Sequence, residues 1–253
     1  MLLTVDIGNS NIAFGIYEQN WVRHWRLSTV ANKTSDEYAI QFRSLLAEEK
    51  ISPTAIQRVV MSSVVPPLTF VFQRMLRQLT QQEPLVINTS LNSGLTITTD
   101  NPHELGTDLL ANAVAGYHLA QTDCIIVDFG TALSITVVNQ KREIAGVAIA
   151  PGLESALKAL SSNTAQLPFV PLAVPPSVLG RNTVQAIQSG VMFGYLGLVE
   201  GLVSRIETEL DTSAKVIATG GLAEIIAPMA EHSLTIEPWL TLDGLRLLSG
   251  LNQ

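Results

Sequence analysis

An aspartate followed two residues later by a glycine occurs twice in this chain, each time between two apolar, strand-like runs. The first copy, LLTVDIGNSNIAFGIY, holds Asp6 and Gly8, and the second, CIIVDFGTALSITVV, holds Asp128 and Gly130. A glycine turn lets backbone N–H groups approach an anion closely, because no Cβ blocks the way. The carboxylate repels phosphate, but it can bind a cation that in turn binds phosphate. The repeat therefore predicts two hairpins that grip one polyphosphate chain from both sides.

Small polar residues follow each aspartate, and a third glycine motif lies near the C-terminus. Asn9, Ser10 and Asn11 can donate hydrogen bonds in the first copy, and Thr131 can in the second. The segment ATGG (218–221) ends a predicted strand, and its glycines leave a flat surface for a base or a ribose. Each motif alone is more typical of an ordinary turn or of helix packing. Their combination favours a nucleotide site.

Other well-known sites are missing from the sequence. It contains neither the P-loop pattern nor a G-x-G-x-x-G after a strand, and it lacks G-x-S-x-G, H-E-x-x-H and paired C-x-x-C motifs. Its 4 histidines are scattered without ligand spacing. The nucleotide is therefore expected to bind differently from a P-loop or Rossmann ligand.

Composition narrows the class of protein. At 253 residues and 47% hydrophobic content the chain can bury a large core. The net charge of -7 and the lack of a basic cluster argue against a nucleic-acid partner. The single cysteine, Cys124, fits a reducing compartment. We see no signal peptide and no uninterrupted apolar stretch of about 18 residues, which predicts a cytoplasmic protein with no membrane span.

The hydrophobic pattern repeats a plan of three strands, a helix, a strand and a helix, once in each half. This predicts two domains, residues 1–118 and 119–253, with a helix at the end of the first that carries Thr107 and Asp108 in its first turn. The stretch 183–209 is predicted to be helical, and its four glycines are expected on one face, where another helix packs closely. Two further helices are expected over 222–232 and at the C-terminus.

Six blocks in order make the chain resemble the type III pantothenate kinases, which belong to the superfamily of acetate and sugar kinases, heat-shock chaperone ATPases and actin. The blocks are DIGNSN (6–11), NPHELGTD (101–108), DFGTA (128–132), PGLESALKAL (151–160), GRNTVQAIQSG (180–190) and ATGGLA (218–223). The resemblance implies an α/β fold of two duplicated ribonuclease-H-like, actin-like ATPase domains, with mixed sheets flanked by helices. It also implies a homodimer that phosphorylates pantothenate with ATP, the first step of coenzyme A synthesis.

The resemblance also implies a role for individual residues. Asp108 is the general base, Asp6 lies near Mg²⁺, and Asp128 binds a monovalent cation, K⁺ or NH₄⁺. The residues implied to contact ATP are Asp6, Ile7, Gly8, Asn9, Ser10, Asn11, Gly130, Thr131, Ala132, Gly220 and Gly221. Those implied to contact pantothenate are Thr99, Gly106, Thr107, Leu109, Arg181 and Thr183, the last near the partner subunit. On spacing alone, Asp108 in a first helical turn is more typical of an acid that stabilises the helix dipole, and it is the motif around it that favours the general base.

Three positions depart from the family's pattern. Leu109 stands where the family usually has arginine, Thr99 replaces a common tyrosine, and Ala13 replaces a basic residue at the end of the first loop. Arg181 is a candidate to supply the missing charge. These departures leave two alternatives to a pantothenate kinase: a catalytically weakened nucleotide-binding relative that acts as a regulator or accessory factor, and a kinase for another small alcohol.

Overall fold

The structure is a computed structural model that describes residues 1–164 and 167–253. It divides into two compact units, Met1–Ala115 with Leu240–Gln253, and Gly116–Trp239. These bounds differ from the predicted domains 1–118 and 119–253, because the C-terminal helix belongs to the first unit. There the helix packs so closely that a Cβ on Gly244 would lie 1.9 Å from the carbonyl oxygen of Ala111.

Strands and helices alternate along the chain much as the pattern predicts. The strands are β1 (Leu2–Ile7), β2 (Asn11–Tyr17), β3 (Trp21–Ser28), β4 (Arg58–Ser63), β5 (Leu85–Val86), β6 (Thr96–Ile97), β7 (Cys124–Phe129), β8 (Ala132–Val138), β9 (Glu143–Pro151), β10 (Lys215–Thr219) and β11 (Leu234–Ile236). The helices are α1 (Ser35–Glu48), α2 (Pro66–Thr80), α3 (Thr107–Ala120), α4 (Leu153–Asn163), α5 (Thr183–Leu210), α6 (Ala223–Ile226) and α7 (Leu240–Leu251).

The first unit holds a mixed sheet in the order β3-β2-β1-β4-β5. The first three strands are antiparallel neighbours, whereas β4 runs parallel to β1 and β5 runs parallel to β4. The second unit has the same arrangement in the order β9-β8-β7-β10-β11. This identity of order and direction confirms the predicted duplication.

Each sheet presents one apolar face to a core of its own. In β1 the alternating residues Leu3, Val5 and Ile7 are fully buried in the first core, where Phe14 stacks on Phe42 with ring centroids 4.8 Å apart. Alternation places the intervening residues on the opposite face. The aspartate of the first motif therefore lies on the face opposite this core.

Local chemistry sets where the helices begin and end. Thr34 and Glu37 form a reciprocal capping box at the start of α1, which satisfies two backbone N–H groups that would otherwise lack partners. The helix predicted over 222–232 is shorter than expected: α6 ends at Ile226 and a 3₁₀ turn, Ala227–Met229, follows. Pro228 accounts for this, because proline has no N–H for a helical hydrogen bond.

Helix α5 is the longest helix and is only partly covered. It is long and apolar enough to cross a membrane by length and composition, with 39% of the relevant window buried inside the molecule. Ile187, Val191 and Val199 lie in the core of the second unit, as expected for a core helix that passes the same test. One such helix is weak evidence for a membrane span.

The glycine face of α5 does not pack as predicted. Apart from the helix's own backbone, no atom of the described residues lies within 4 Å of where a Cβ would stand on Gly190, Gly194 or Gly197. Within the described part of the chain, these glycines therefore do not admit a neighbouring helix. The prediction of close helix packing at this face is wrong for this chain taken by itself.

Candidate functional site

The turn between β1 and β2 is held by hydrogen bonds that tie its carbonyl groups to the protein. The N–H of Gly8 donates to the carbonyl of Asn11 over 3.0 Å, and the Thr29 hydroxyl donates to the carbonyl of Gly8 over 2.6 Å. The N–H of Thr29 donates to the carbonyl of Ser10 over 2.9 Å. Asn9, Ser10 and Asn11 are exposed at the surface. The turn can therefore present polar groups to an anion without rearranging.

Asp6 and Ile7 lie at the end of β1 but face opposite ways. Ile7 is fully buried in the core, so only its backbone is available to a ligand. Asp6 is half-buried on the other face, directly beside Ser62 of the parallel strand β4. This is the carboxyl end of two parallel strands, where ligands of open α/β sheets commonly bind.

Asp108 lies in the first turn of α3, where its carboxylate folds back over Gly106. The N–H of Leu109 donates to Asp108 Oδ1 over 2.8 Å. A Cβ on Gly106 would lie only 2.4 Å from the same oxygen. Burial raises the pKa of the Asp108 carboxyl, although hydrogen bonds from the backbone N–H groups of Leu109 and of Asp108 itself oppose the rise. A partly desolvated carboxylate of this kind is suited to accept a proton.

The hydroxyl of Thr107 connects the start of α3 to the strand beside Asp6. Its Oγ1 lies 2.8 Å from Oγ of Ser62, which is fully buried. Since Ser62 is the neighbour of Asp6 in the sheet, this contact brings both carboxylate-bearing segments of the first unit to one end of its sheet. Thr107, implied by the resemblance to bind substrate, thus has a protein partner for its hydroxyl.

The turn between β7 and β8 is supported by the start of α4. Gly152 donates its N–H to the carbonyl of Thr131 over 3.1 Å, and the Ser155 hydroxyl donates to the same carbonyl over 3.0 Å. A Cβ on Gly152 would lie 2.4 Å from the carbonyl oxygen of Gly130, so only glycine allows this approach. Gly130, Thr131 and Ala132 are exposed at the turn. As in the first unit, the protein thus binds a carbonyl group of the turn, here that of Thr131.

Asp128 and Gly220 meet at the ends of two parallel strands. Gly220 follows β10, whose Thr219 is the neighbour of Asp128 in the sheet. Gly220 has φ of +89°, and a Cβ there would lie 2.5 Å from Asp128 Oδ1 and 2.6 Å from the carbonyl carbon of Phe129. Only glycine fits, because it alone tolerates both the conformation and the contact. Gly221 is exposed beside it. The second motif and the ATGG segment therefore lie together within the second unit.

The remaining substrate candidates lie apart from these turns in the chain. Thr183 begins α5 and is exposed, and Asn182 caps the helix by accepting a hydrogen bond from the N–H of Gln185 over 2.9 Å. Arg181 is exposed just before it. In the first unit, Thr99 and Leu109 are half-buried. The structure thus makes the side chains of Arg181 and Thr183 accessible at the start of a long helix.

A cation at either aspartate would have few protein ligands. The described residues contain no group of three or more histidine, cysteine, aspartate or glutamate side chains that could hold a metal ion. Mg²⁺ in phosphoryl-transfer sites commonly has one or two carboxylate ligands, with phosphate oxygens and waters completing its shell. Single carboxylates at Asp6 and Asp128, each beside a glycine turn, fit that donor set.

Sequence reasoning missed four residues that shape these sites: Thr29, Ser62, Gly152 and Ser155. Gly152 and Ser155 fall within a block quoted for the resemblance, but no role was assigned to them. A glycine immediately before a predicted helix was the available signal for Gly152. For Ser62 the available signal was a serine at the end of an apolar, strand-like run. Thr29 gave no signal, because a threonine just after a strand is common.

Comparison with known proteins identifies the family. The family model described as type III pantothenate kinase matches residues 2–205. Proteins named type III pantothenate kinase from Geobacter sp. (strain M21) and Geobacter sulfurreducens are 46% and 44% identical to this chain over 254 residues, and each alignment covers 100% of both chains.

Two solved structures share the fold at low sequence identity. A Baf-family transcriptional activator from Campylobacter jejuni has a TM-score of 0.62 at 18% identity, covering 98% of this chain and 97% of its own. The activator of 2-hydroxyisocaproyl-CoA dehydratase from Clostridium difficile, with bound ADPNP, has a TM-score of 0.54 at 12% identity, covering 99% and 95%. These neighbours support the fold alone, whereas the family match spans most of the sequence. The chain therefore belongs to the type III pantothenate kinase family.

Proposed function

We propose that this protein transfers the γ-phosphate of ATP to the hydroxyl of pantothenate, forming 4'-phosphopantothenate for coenzyme A synthesis. The observation that carries the proposal is the identity of 44–46% over the full length to enzymes named type III pantothenate kinase. The geometry of the two glycine turns and of Asp108 agrees with it. Phosphoryl transfer needs positioning and charge stabilisation more than covalent chemistry.

Asp108 is the general base in this proposal. Its pKa is raised because burial disfavours the charged carboxylate, which makes it a better proton acceptor than an exposed aspartate. Its position in the first turn of α3 holds the carboxylate through the N–H of Leu109. The base would accept the proton of the acceptor hydroxyl as the phosphoryl group is transferred.

The two glycine turns bind the phosphates of ATP in this proposal, and the aspartates before them bind cations. Asp6 would hold Mg²⁺ and Asp128 a monovalent cation, K⁺ or NH₄⁺; bound there, these ions would neutralise charge on the phosphate oxygens. Gly220 and Gly221 would lie against the adenosine. The support is that the protein binds the carbonyls of Gly8 and Ser10 in the first turn and that of Thr131 in the second, which turns these carbonyls away from an anion.

In this proposal pantothenate contacts Thr99, Gly106, Thr107, Leu109, Arg181 and Thr183, the last near the partner subunit. Leu109 provides no charge to meet the pantothenate carboxylate, and Arg181 is an exposed cation at the start of α5. If Arg181 replaces the missing charge, Arg181→Ala should raise the KM for pantothenate by an order of magnitude or more while the KM for ATP stays constant. An unchanged KM for pantothenate would show that Arg181 has no such role.

A homodimer is also proposed, with the exposed face of α5 as part of its interface. A Cβ on Gly190, Gly194 or Gly197 would meet no atom of the described residues within 4 Å, the helix's own backbone aside, and Val178 and Leu179 are 62% and 81% exposed. A second copy that covers these groups would remove apolar surface from water. Gly194→Arg should give monomers in size-exclusion chromatography with light scattering, whereas Phe70→Arg, at a side chain 78% exposed elsewhere, should not. We also expect the enzyme to act in the cytoplasm, without membrane or nucleic-acid partners.

The test of function is growth rescue of a strain that lacks pantothenate kinase, with Asp108→Asn as the control. The purified protein should convert labelled ATP and pantothenate to labelled phosphopantothenate when Mg²⁺ and K⁺ are present. Absence of both rescue and product from the wild-type protein would refute the proposal. Leu109, Thr99 and Ala13 then favour the second candidate, a nucleotide-binding relative without this activity, which would bind ATP equally well with aspartate or asparagine at position 108.

Leu109 also motivates a third candidate, a kinase for another small alcohol. This candidate predicts transfer of label to an alcohol other than pantothenate, and loss of that transfer in Asp108→Asn. A panel of small alcohols assayed in competition with pantothenate separates it from the first candidate. Pantothenate should give the highest kcat/KM if the main proposal is correct.

A further inference from the structure

A pair of hydroxyl groups, those of Ser62 and Thr107, lies beside the proposed base. Ser62 is fully buried near the end of β4, and its Oγ lies 2.8 Å from Oγ1 of Thr107. On its other side, Ser62 is the direct neighbour of Asp6 in the parallel pair of β1 and β4. Thr107 precedes Asp108 in the chain and is the first residue of α3. One hydrogen bond thus joins the segments that carry Asp6 and Asp108.

A buried hydroxyl needs a hydrogen-bond partner, but the position of this pair gives it a further consequence. The first turn of a helix is where its backbone N–H groups lack helical partners and where the helix frays most readily. Asp108 lies in that turn, and its carboxylate already packs against the Cα of Gly106. A catalytic group must be held within about 0.5 Å of its productive position, and loss of about 1 Å costs on the order of 100-fold in rate. An anchor at the start of α3 therefore bears directly on the rate.

We propose that Ser62 is a positioning residue. Its hydroxyl, through that of Thr107, fixes the start of α3 against the sheet end at which Asp6 lies. This contact holds Asp108 in place for proton transfer. The inference rests on the proposed role of Asp108 as the base. It predicts that loss of the pair lowers kcat and leaves ATP binding intact, because the turn between β1 and β2 is held by its own bonds to Thr29.

Three substitutions isolate the hydroxyl pair. Ser62→Ala removes one hydroxyl and leaves that of Thr107, which is half-buried, able to reach water. Thr107→Val removes the other hydroxyl and keeps the shape, and Thr107→Ser keeps the hydroxyl. Ser62→Ala and Thr107→Val should each lower kcat by about 10-fold to about 100-fold with the KM for ATP within about 2-fold of wild type. Thr107→Ser should retain most of the activity.

A matched control removes a similar bond from the same region of the chain. Thr69 of α2 donates from Oγ1 to Oγ of Ser63 over 2.9 Å, also at a half-buried site. Thr69→Val should lower the melting temperature by an amount similar to Ser62→Ala and leave kcat unchanged. The double variant Ser62→Ala, Thr107→Val should lose no more activity than the more affected single variant, because both substitutions break the same bond.

Two outcomes would overturn the inference, and both differ from failure of the proposed function. If Asp108→Asn is inactive but Ser62→Ala and Thr107→Val keep wild-type kcat, Asp108 is the base but the hydroxyl pair does not position it. If Ser62→Ala and Thr69→Val lower kcat and melting temperature in parallel, the pair only stabilises the fold. If Asp108→Asn itself keeps full activity, the proposed base is wrong and the anchor has nothing to position.

Discussion

Substituting Gly106 by alanine should slow phosphoryl transfer because the new methyl group would occupy the space of the Asp108 carboxylate. The ideal Cβ at Gly106 lies 2.4 Å from Asp108 Oδ1, whereas ordinary van der Waals contact begins near 3.4 Å. The carboxylate oxygen must therefore retreat by about 1 Å. Misplacement of a catalytic group by about 1 Å costs on the order of 100-fold in rate, which corresponds to about 2.7 kcal/mol in the activation free energy.

The substitution should spare the fold. The next nearest atoms to the added Cβ, Cγ of Asp108 and Cγ of Leu109, lie at an ordinary 3.6 Å, and Gly106 is partly exposed. We expect kcat in Gly106→Ala to fall by about 100-fold at saturating ATP and pantothenate, with the melting temperature close to that of wild type. The assay is steady-state production of labelled phosphopantothenate, with thermal unfolding measured on the same samples.

Gly250→Ala is the matched control, since it adds the same methyl group in the same unit. Apart from the helix's own backbone, no atom of the described residues lies within 4 Å of the ideal Cβ at Gly250 in α7. Alanine favours a helix over glycine by up to about 1 kcal/mol. This variant should keep wild-type kcat and should be equally or more stable. If Gly106→Ala keeps kcat within about 2-fold of wild type, the Asp108 carboxylate has an equally productive second position and the expected loss of rate is wrong.

Three more results are expected. Gly220→Ala should unfold more easily than wild type by about 2 kcal/mol or more and bind ATP more weakly, as measured by denaturant titration and by calorimetry, because the side chain must accept φ of +89° and displace Asp128. Burial raises the pKa of Asp108, so the folded protein binds the proton of this carboxyl more tightly than the unfolded protein does. The stability that the protonated carboxyl contributes is therefore present at acid pH, and the free energy of unfolding falls as the pH rises through the folded-state pKa. Asp108→Asn should therefore raise the melting temperature near neutral pH but not at acid pH; an equal change at both pH values would contradict this expectation. Burial raises the pKa of the Cys124 thiol to about 12, so a thiol reagent should label the native protein slowly and the unfolded protein at once, by mass spectrometry.

The features that the sequence predicted are those encoded over a few neighbouring residues. The strands that carry Asp6 and Asp128 are short, largely apolar runs, and the turn glycine lies between the two strands it joins. Such patterns depend only on neighbouring residues, so the strands and turns that they predict are present in the fold. The glycines at 220 and 221 were predicted to form an open surface, and the positive φ of Gly220 gives the physical reason for the first of them.

The features that the sequence did not predict depend on contacts between distant parts of the chain. Ser62 meets Thr107 across 45 positions, and the support that Gly152 gives to the second turn exists only once α4 has packed there. The C-terminal helix was assigned to the second half by its order in the chain. It packs instead in the first unit, where Trp21 Nε1 donates to Asp243 across 222 positions over 3.0 Å. No local pattern carries that information.

The two duplicated sheets differ at the strand ends that carry Asp6 and Asp128. The neighbour of Asp6 in the parallel strand is Ser62, and at the equivalent place beside Asp128 stands Thr219, so each aspartate adjoins a buried hydroxyl residue. The two copies of the repeat differ after this point, because Thr219 is followed by Gly220, which has a positive φ. Gly220 has no side chain, and Asp128 Oδ1 and the Phe129 backbone lie close to where its Cβ would stand, whereas the Ser62 hydroxyl contacts the start of α3. The same strand end thus favours a flat ligand surface in one unit and an anchored catalytic helix in the other. In the proposed kinase, nucleoside binding and proton transfer are therefore separable by mutation, since the residues responsible for each lie in different copies of the repeat.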